Sequence, residues 1–91
     1  MSITKIPMAE IDANLLADFD ARPIASHWEL FEYRPPAPDV ANQHYQIIFN
    51  APYRRAGIVF CGSGSSGAVS WTDAASPGEA MQRYFDDDMR L

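Results

Sequence analysis

The residues with the clearest chemical potential in this 91-residue chain are the glycines and serines of GIVFCGSGSSGAVSWT, positions 57 to 72. Gly62, Gly64 and Gly67 have the spacing G-x-G-x-x-G, which in dinucleotide-binding proteins brings backbone N–H groups close to a phosphate. That chemistry requires a strand before the glycines and a helix that opens at the last one, because the helix N-terminus binds the anion. The spacing makes these three glycines candidate anion-binding residues.

The residues that follow Gly67 argue against a nucleotide site. They read AVSWT, in which apolar and polar side chains alternate with the period of a strand and form no helical stripe. A flexible Gly/Ser loop that joins two strands is therefore the simpler interpretation. An anion-binding nest of backbone N–H groups at Gly62, Gly64 and Gly67 stays as the alternative. The sequence predicts no cofactor.

Other reactive side chains form no evident catalytic set. His27, His44 and Cys61 fall on separate predicted strands, so no metal site is expected. The loop serines have no nearby base to activate them. A single cysteine excludes an intramolecular disulfide and favours a reducing, cytoplasmic setting. We therefore expect a protein that is not an enzyme.

An N-terminal helix is predicted from Pro7 to Asp20. Apolar side chains recur there at spacings of three and four, at Met8, Ile11, Leu15 and Phe19. Pro23 ends the helix, since the residue before a proline is disfavoured in helical geometry.

Four strands are predicted after this helix, over Ile24 to Arg34, His44 to Asn50, Gly57 to Cys61 and Ala68 to Thr72. The first has apolar residues at both odd and even positions, which point to opposite faces of a strand. Either both of its faces are covered, or a bulge near Leu30 and Phe31 changes the face to which the following side chains point. Prolines make the segment between the first two strands an extended loop. The turn before the third carries Arg54 and Arg55, which could bind a carboxylate or a phosphate.

A C-terminal helix begins at the strongest local signal of the chain. Ser76-Pro77-Gly78-Glu79 has the pattern of a capping box, with Pro77 at the first helical position. The buried stripe is predicted to contain Ala80, Met81, Tyr84 and Phe85.

Short connections favour an antiparallel meander over parallel crossovers. The predicted fold is therefore a single α+β domain over residues 1–91. It has an N-terminal helix, a three- to four-stranded antiparallel meander and a C-terminal helix packed on the sheet. We expect both helices to cover the same face of that sheet.

The formal net charge is −5, and both ends of the chain are acidic. Repulsion from phosphate argues against direct binding of nucleic acid, whereas a basic protein surface would be attracted. No apolar run has the ~20 residues needed to cross a bilayer, so no membrane partner is expected.

These properties favour a small acidic protein that binds and inhibits a protein partner with a basic surface. Phage anti-CRISPR proteins, antitoxins and immunity proteins have a similar size and charge, and we expect a phage or mobile-element inhibitor of a nucleic-acid-handling defence complex. Its surface would meet the partner by electrostatic mimicry or by blocking. The candidate contact residues are Asp12, Asp18, Asp86, Asp87, Asp88, Arg54 and Arg55.

Two other classes of function remain open. In the first, the chain is a small module that binds an anion or nucleotide through the loop from Gly62 to Gly67. In the second, it is an oligomerising structural protein in which an edge strand such as 27–34 pairs between chains. The sequence is compatible with a monomer or a homodimer.

Overall fold

The computed structural model describes residues 3–20, 27–35, 44–61 and 69–88; the side chains of 18–20, 87 and 88 are not described. The predicted α+β class is confirmed, with an N-terminal helix, an antiparallel meander and a C-terminal helix packed on the sheet. Within these described residues, neither helix is long and apolar enough to cross a membrane. The elements in chain order are β1 (Ile3–Ile6), a 3-10 turn (Met8–Glu10), α1 (Ala13–Asp20), β2 (Trp28–Tyr33), β3 (His44–Asn50), β4 (Arg55–Cys61), β5 (Ser70–Asp73) and α2 (Pro77–Asp88).

The sheet has five strands in the order β1-β2-β3-β4-β5, and all neighbours are antiparallel. Strand β1 was not predicted, because its two isoleucines lie three residues apart and do not alternate. It pairs with β2, with Ile3 opposite Tyr33 and Ile6 opposite Leu30. Strand β2 therefore has a neighbour on each side, and the prediction that residues 27–34 form an edge strand is wrong.

Strand β2 pairs with β3 without a bulge. The register runs one to one from Trp28 opposite Asn50 to Tyr33 opposite Tyr45. The apolar residues on both sides of β2 are explained by the packing of both faces of the sheet, and not by a bulge. Leu30 is buried on one face, while Phe31 packs on the other.

The two helices lie on opposite faces of the sheet, so the expectation that they share one face is wrong. Leu15 of α1 packs against Ile48 of β3 and Val59 of β4. Met81 of α2 packs in a separate cluster with Ile47, the neighbour of Ile48 along β3. Because successive strand residues point to opposite faces, these clusters are two cores separated by the sheet. The central strands β3 and β4 are consequently buried on both sides.

The predicted N-terminal helix is divided into two pieces. The 3-10 turn is followed by Ile11, which is extended with φ −60° and ψ 136°. Asp12 then caps a new helix: its backbone oxygen accepts from the N–H of Leu16 at 2.9 Å, and its Oδ1 accepts from the N–H of Asn14 at 2.9 Å. A capping aspartate satisfies N–H groups that the first helical turn leaves without partners, so the helix begins there and not at Pro7.

Helix α2 begins where its capping signal predicts. Ser76 Oγ accepts from the N–H of Glu79 at 3.1 Å, and the backbone oxygen of Ser76 accepts from the N–H of Ala80 at 3.1 Å. The Glu79 carboxylate accepts a hydrogen bond from Arg83 one turn later, at 3.3 Å.

Tyr45 of β3 is the centre of an aromatic cluster that holds the C-terminal half of α2 on the sheet. Its ring centroid lies 5.2 Å from that of Phe60, 5.6 Å from Tyr84 and 5.5 Å from Phe85. Tyr33 joins the cluster from β2, with its centroid 6.2 Å from that of Tyr45. Tilted and edge-to-face pairs at these distances add about 0.5–1.5 kcal/mol each beyond the area they bury.

Gly57 on β4 allows the Trp71 ring to lie directly on the sheet. A Cβ atom at Gly57 would stand 2.8 Å from Cζ3 of Trp71, too close for two carbon atoms. We predict that Gly57→Ala lowers the free energy of unfolding by about 1–3 kcal/mol through this overpacking. Urea unfolding measures the loss, and a changed near-ultraviolet circular dichroism spectrum reports the displaced ring.

Gly78 provides the matched control. A Cβ atom there meets nothing closer than Ser76 Oγ at 3.9 Å, and the residue lies in the first turn of α2. Gly78→Ala should leave the stability unchanged or raise it by up to about 1 kcal/mol, because alanine favours the helix. Equal effects of the two substitutions would contradict the close approach of Trp71.

Candidate functional site

The side chain of Gln46 joins the segment before α1 to the face of the sheet that α1 covers. Its Oε1 accepts from the N–H of Asp12 at 2.6 Å, and its Nε2 donates to the backbone oxygen of Glu10 at 2.9 Å. Gln46 is buried in the middle of β3. Both the oxygen and the nitrogen of the buried amide therefore have backbone hydrogen-bond partners, which lie 34 to 36 residues away in sequence.

Cys61, at the end of β4, is buried beside the same segment. Its Sγ donates to Oδ2 of Asp12 over 3.6 Å. Burial raises the pKa of the thiol from 9.0 to about 12, and the nearby carboxylates of Asp12 and Glu32 add to the shift. The thiolate is the nucleophilic form of cysteine, and a reactive cysteine needs a positive neighbour to form it. Cys61 has negative neighbours instead.

His44 lies directly opposite Cys61 in the β3–β4 register. These two residues, which the sequence places on separate strands, are thus neighbours across the sheet. Nε2 of His44 lies 3.9 Å from Oε1 of Glu32, and Glu32 also forms an ion pair with Arg34 at 3.0 Å. His27, in contrast, precedes β2 at the other end of the sheet. Over residues 3–20, 27–35, 44–61 and 69–88, no three His, Cys, Asp or Glu side chains are arranged to hold a metal ion.

The acidic end of α2 lies beside the aromatic cluster. Asp86, Asp87 and Asp88 continue the helix, and the side chain of Asp86 is exposed. Tyr84 and Phe85, which directly precede them, are half-buried. We call Asp86, Asp87 and Asp88 with Tyr84 and Phe85 the acidic end of α2. It combines negative charge with aromatic surface.

The turn between β3 and β4 presents Tyr53, Arg54 and Arg55. Tyr53 is 61% exposed, the largest exposed fraction among the large apolar side chains that the structure describes. Arg54 has φ 52°, a left-handed backbone conformation that costs a residue other than glycine about 1–2 kcal/mol. Arg55 forms an ion pair with Asp73 of β5 at 3.0 Å.

The predicted contact residues do not form one surface. Asp12 and Asp18 belong to the α1 side of the sheet, and the carboxylate of Asp12 is occupied by its cap and by Cys61. Asp86 to Asp88 end the helix on the opposite face. Arg54 and Arg55 lie at the end of the sheet where α2 begins, because the Arg54 oxygen accepts from the N–H of Ala74 at 2.9 Å. Gly62, Gly64 and Gly67 lie outside the described residues.

Sequence reasoning missed Gln46, the carboxylate partner of Cys61 and the exposure of Tyr53. Tyr45, Ile47 and Phe49 alternate with Gln46 along β3, so the sequence places Gln46 on the opposite side of the strand, where a polar side chain predicts solvent. Only the position of α1 shows that this side is covered. Pro52 stands at the second position of the Ala51–Arg54 turn, where proline is favoured. It is the local feature of the sequence that indicates that Tyr53 lies at the tip of a turn.

Comparison with known proteins identifies no relative: no protein-family model, curated protein or solved structure matches the chain. The geometry of its own residues is therefore the basis for a functional proposal.

The Gln46 bridge generates a stability prediction. Gln46→Leu keeps a side chain of similar volume but leaves the Asp12 N–H and the Glu10 carbonyl without their partner. We expect the free energy of unfolding to fall by about 1–3 kcal/mol, the cost of unsatisfied buried polar groups. The control is Gln82→Leu on the exposed side of α2, which should stay within about 0.5 kcal/mol of wild type. An equal loss at both sites in urea unfolding would contradict the bridge.

The raised pKa of Cys61 predicts a pH dependence. The unfolded chain loses the thiol proton near pH 9, whereas the folded chain keeps it up to about pH 12. The contribution of the thiol to stability is thus complete below pH 9 and is lost as the pH rises towards 12, by up to about 1.4 kcal/mol per unit. The difference in unfolding free energy between wild type and Cys61→Ser should therefore shrink from pH 8 to pH 10.5.

A chemical measurement accompanies this titration. At pH 8 an aromatic disulfide reagent should react with Cys61 only at the rate of unfolding, because the folded thiol is protonated and buried. Fast reaction of the folded protein at pH 8, or an unfolding difference that is constant with pH, would contradict the assigned environment.

Proposed function

We propose that this chain is a small acidic, non-enzymatic protein that binds and inhibits a protein partner through the acidic end of α2. The observation that carries the proposal is the placement of three consecutive aspartates on a helix end beside two half-buried aromatic residues. Acidic and aromatic side chains together match a partner surface rich in arginine and lysine. Carboxylates attract such a surface, and ring faces bind the cations themselves.

The aspartates are unfavourable for the helix that carries them. The C-terminal end of a helix has a partial negative charge, so each acid in the last turn costs about 0.3–1 kcal/mol at low salt. No basic residue of α2 offsets them in that turn. A local feature that lowers stability fits a functional surface better than a structural role, since functional sites commonly break local rules.

The environment of Cys61 supports a protein without covalent catalysis. The one cysteine of the chain has a raised pKa, and it donates to Asp12 instead of facing a base. Asp12 and Gln46 are likewise engaged in holding α1 on the sheet. The strongest polar constellation among the described residues thus has a structural role.

The partner class in this proposal is a nucleic-acid-handling defence complex, and the chain acts on it in the manner of an anti-CRISPR protein of a phage or mobile element. Such complexes bind nucleic acid in basic grooves, and carboxylates can occupy part of a groove in place of phosphates. The proposed setting is the cytoplasm, where the complex and the free thiol would both be found. The chain contacts the protein and binds no nucleic acid itself.

The test combines partner capture with charge reversal. Wild-type chain and the double variant Asp86→Lys, Asp88→Lys are used as bait in lysates of the native host and of its infected host. We expect a nucleic-acid-handling protein on the wild-type bait that the variant loses at least tenfold. Affinity for that protein should fall with rising salt, and adding the chain at a 1:1 ratio should block its binding of nucleic acid.

Stability separates this result from misfolding. Replacing acids at a helix C-terminus by lysine should leave the free energy of unfolding unchanged or raise it by about 0.5–1 kcal/mol. Glu10→Lys, at an exposed residue of the 3-10 turn, reverses one charge away from α2, half the charge change of the double variant, and should retain the partner. Capture that is unchanged by the reversal at α2, or lost equally with Glu10→Lys, would contradict the assigned surface.

A further inference from the structure

We propose that the tip of the β3–β4 hairpin is a second protein-binding surface, which accepts a protein segment carrying an acidic side chain beside an aromatic or aliphatic one. The hairpin tip is defined by Tyr53, Arg54 and Arg55. It goes beyond the proposed function, because it lies at the other end of the sheet from the acidic end of α2. Ala74, just before α2, bonds to Arg54, whereas Phe85 near the end of α2 contacts Tyr33 and Tyr45.

The backbone of the hairpin tip is held at three points. The N–H of Tyr53 donates to Oδ1 of the buried Asn50 at 3.2 Å, and the N–H of Arg54 donates to the oxygen of Ala51 at 3.2 Å. The oxygen of Arg54 accepts from Ala74 at 2.9 Å. Because this backbone is already fixed, the binding of a partner costs less conformational entropy. The tip therefore holds Tyr53 at an exposed position before a partner binds.

The residue types at the hairpin tip are those that dominate protein-binding energy. Tyrosine and arginine are enriched among the residues whose truncation weakens interfaces most. Arg54 occupies a left-handed conformation that favours glycine, yet it projects a long cation at this position. His27, the other left-handed residue other than glycine among those described, precedes Trp28, which pairs with Asn50 at the same end of the sheet. Strained residues cluster at binding and switch regions of proteins.

The charge at the hairpin tip selects an acidic occupant. Arg55 is paired with Asp73, whereas Arg54 forms no ion pair with the carboxylates of the described residues. The tip is therefore locally positive on a chain whose net charge is −5. A polyanion such as nucleic acid would be repelled by the chain as a whole, but a single carboxylate on a protein segment meets only the local guanidinium. The exposed ring of Tyr53 supplies the apolar contact beside it.

Both tryptophans of the chain lie near this surface and can report on its occupancy. Trp28 is in register with Asn50, and Trp71 lies over Gly57, two residues from Arg55. The two rings meet edge to face with centroids 6.0 Å apart. A segment bound at the hairpin tip should change the fluorescence of these rings, whereas one bound at the acidic end of α2 should leave it unchanged.

The experiment is a selection of random twelve-residue peptides, displayed on phage, against the full chain. We expect enriched peptides with Asp or Glu within three residues of an aromatic or aliphatic residue. A synthetic copy should change the tryptophan fluorescence on binding. Its Kd should rise at least tenfold with Tyr53→Ala and with Arg54→Gly, which removes the guanidinium while relaxing the backbone. Arg83→Gln, at an exposed arginine of α2, should leave the Kd within twofold.

Five results would overturn the proposal. No enrichment, or enriched peptides without an acidic residue, removes the predicted occupant. Binding that is unchanged in both tip variants places the peptides elsewhere. A dimer in sedimentation velocity that Arg54→Gly dissociates makes a second copy of the chain the occupant. Binding of single-stranded DNA that Arg54→Gly abolishes makes the surface a phosphate site. If the double variant Asp86→Lys, Asp88→Lys loses peptide binding while both tip variants keep it, the contact belongs to the acidic end of α2. The proposed function is unaffected by that result.

Discussion

Burial of β3 and β4 on both faces is the constraint on which the rest of this structure depends. Two adjacent strands whose apolar side chains point to both faces of the sheet need a covering layer on each side. For this reason α1 and α2 cannot share a face. Leu15 covers one side and Met81 the other, with no solvent-accessible fraction at either residue. The sheet is therefore the middle of three layers, although the chain has only two helices among its described residues.

This layering accounts for the polar groups in the interior. A strand buried on both sides has no solvent face on which to place its polar residues, so Gln46 must find partners within the protein. It finds them on the backbone around Asp12, and Cys61 bonds to the Asp12 carboxylate beside it. The short α1, with one fully buried leucine, is held on the sheet by these hydrogen bonds as well as by its apolar contact. The pair of Cys61 and Asp12, whose residue types also occur in catalytic sites, thus helps to attach a helix.

The same layering separates the charges. Because α1 and α2 lie on opposite faces, the acids near the N-terminus and those at the end of α2 cannot act as one continuous surface. The antiparallel order places the β3–β4 turn beside the start of α2. The arginines of that turn therefore lie near one end of the helix, and Asp86 to Asp88 lie at the other end. The β3–β4 turn therefore places arginines at one end of the sheet, although the net charge of the protein is −5. The two binding surfaces that we propose follow from this polarity.

The sequence alone determined the features that depend on neighbouring residues. Ser76 and Pro77 predict the start of α2 because a cap involves one turn of helix, and the alternation from His44 to Asn50 predicts β3 because the strand period is local. Strand β1 was hidden, since it is a strand only through its pairing with β2, about 27 residues away along the chain. The tertiary structure alone decided the side on which each helix lies, the partners of Gln46 and the pKa of Cys61. Each of these depends on which distant surface covers a residue, and the order of residues along the chain does not contain that information.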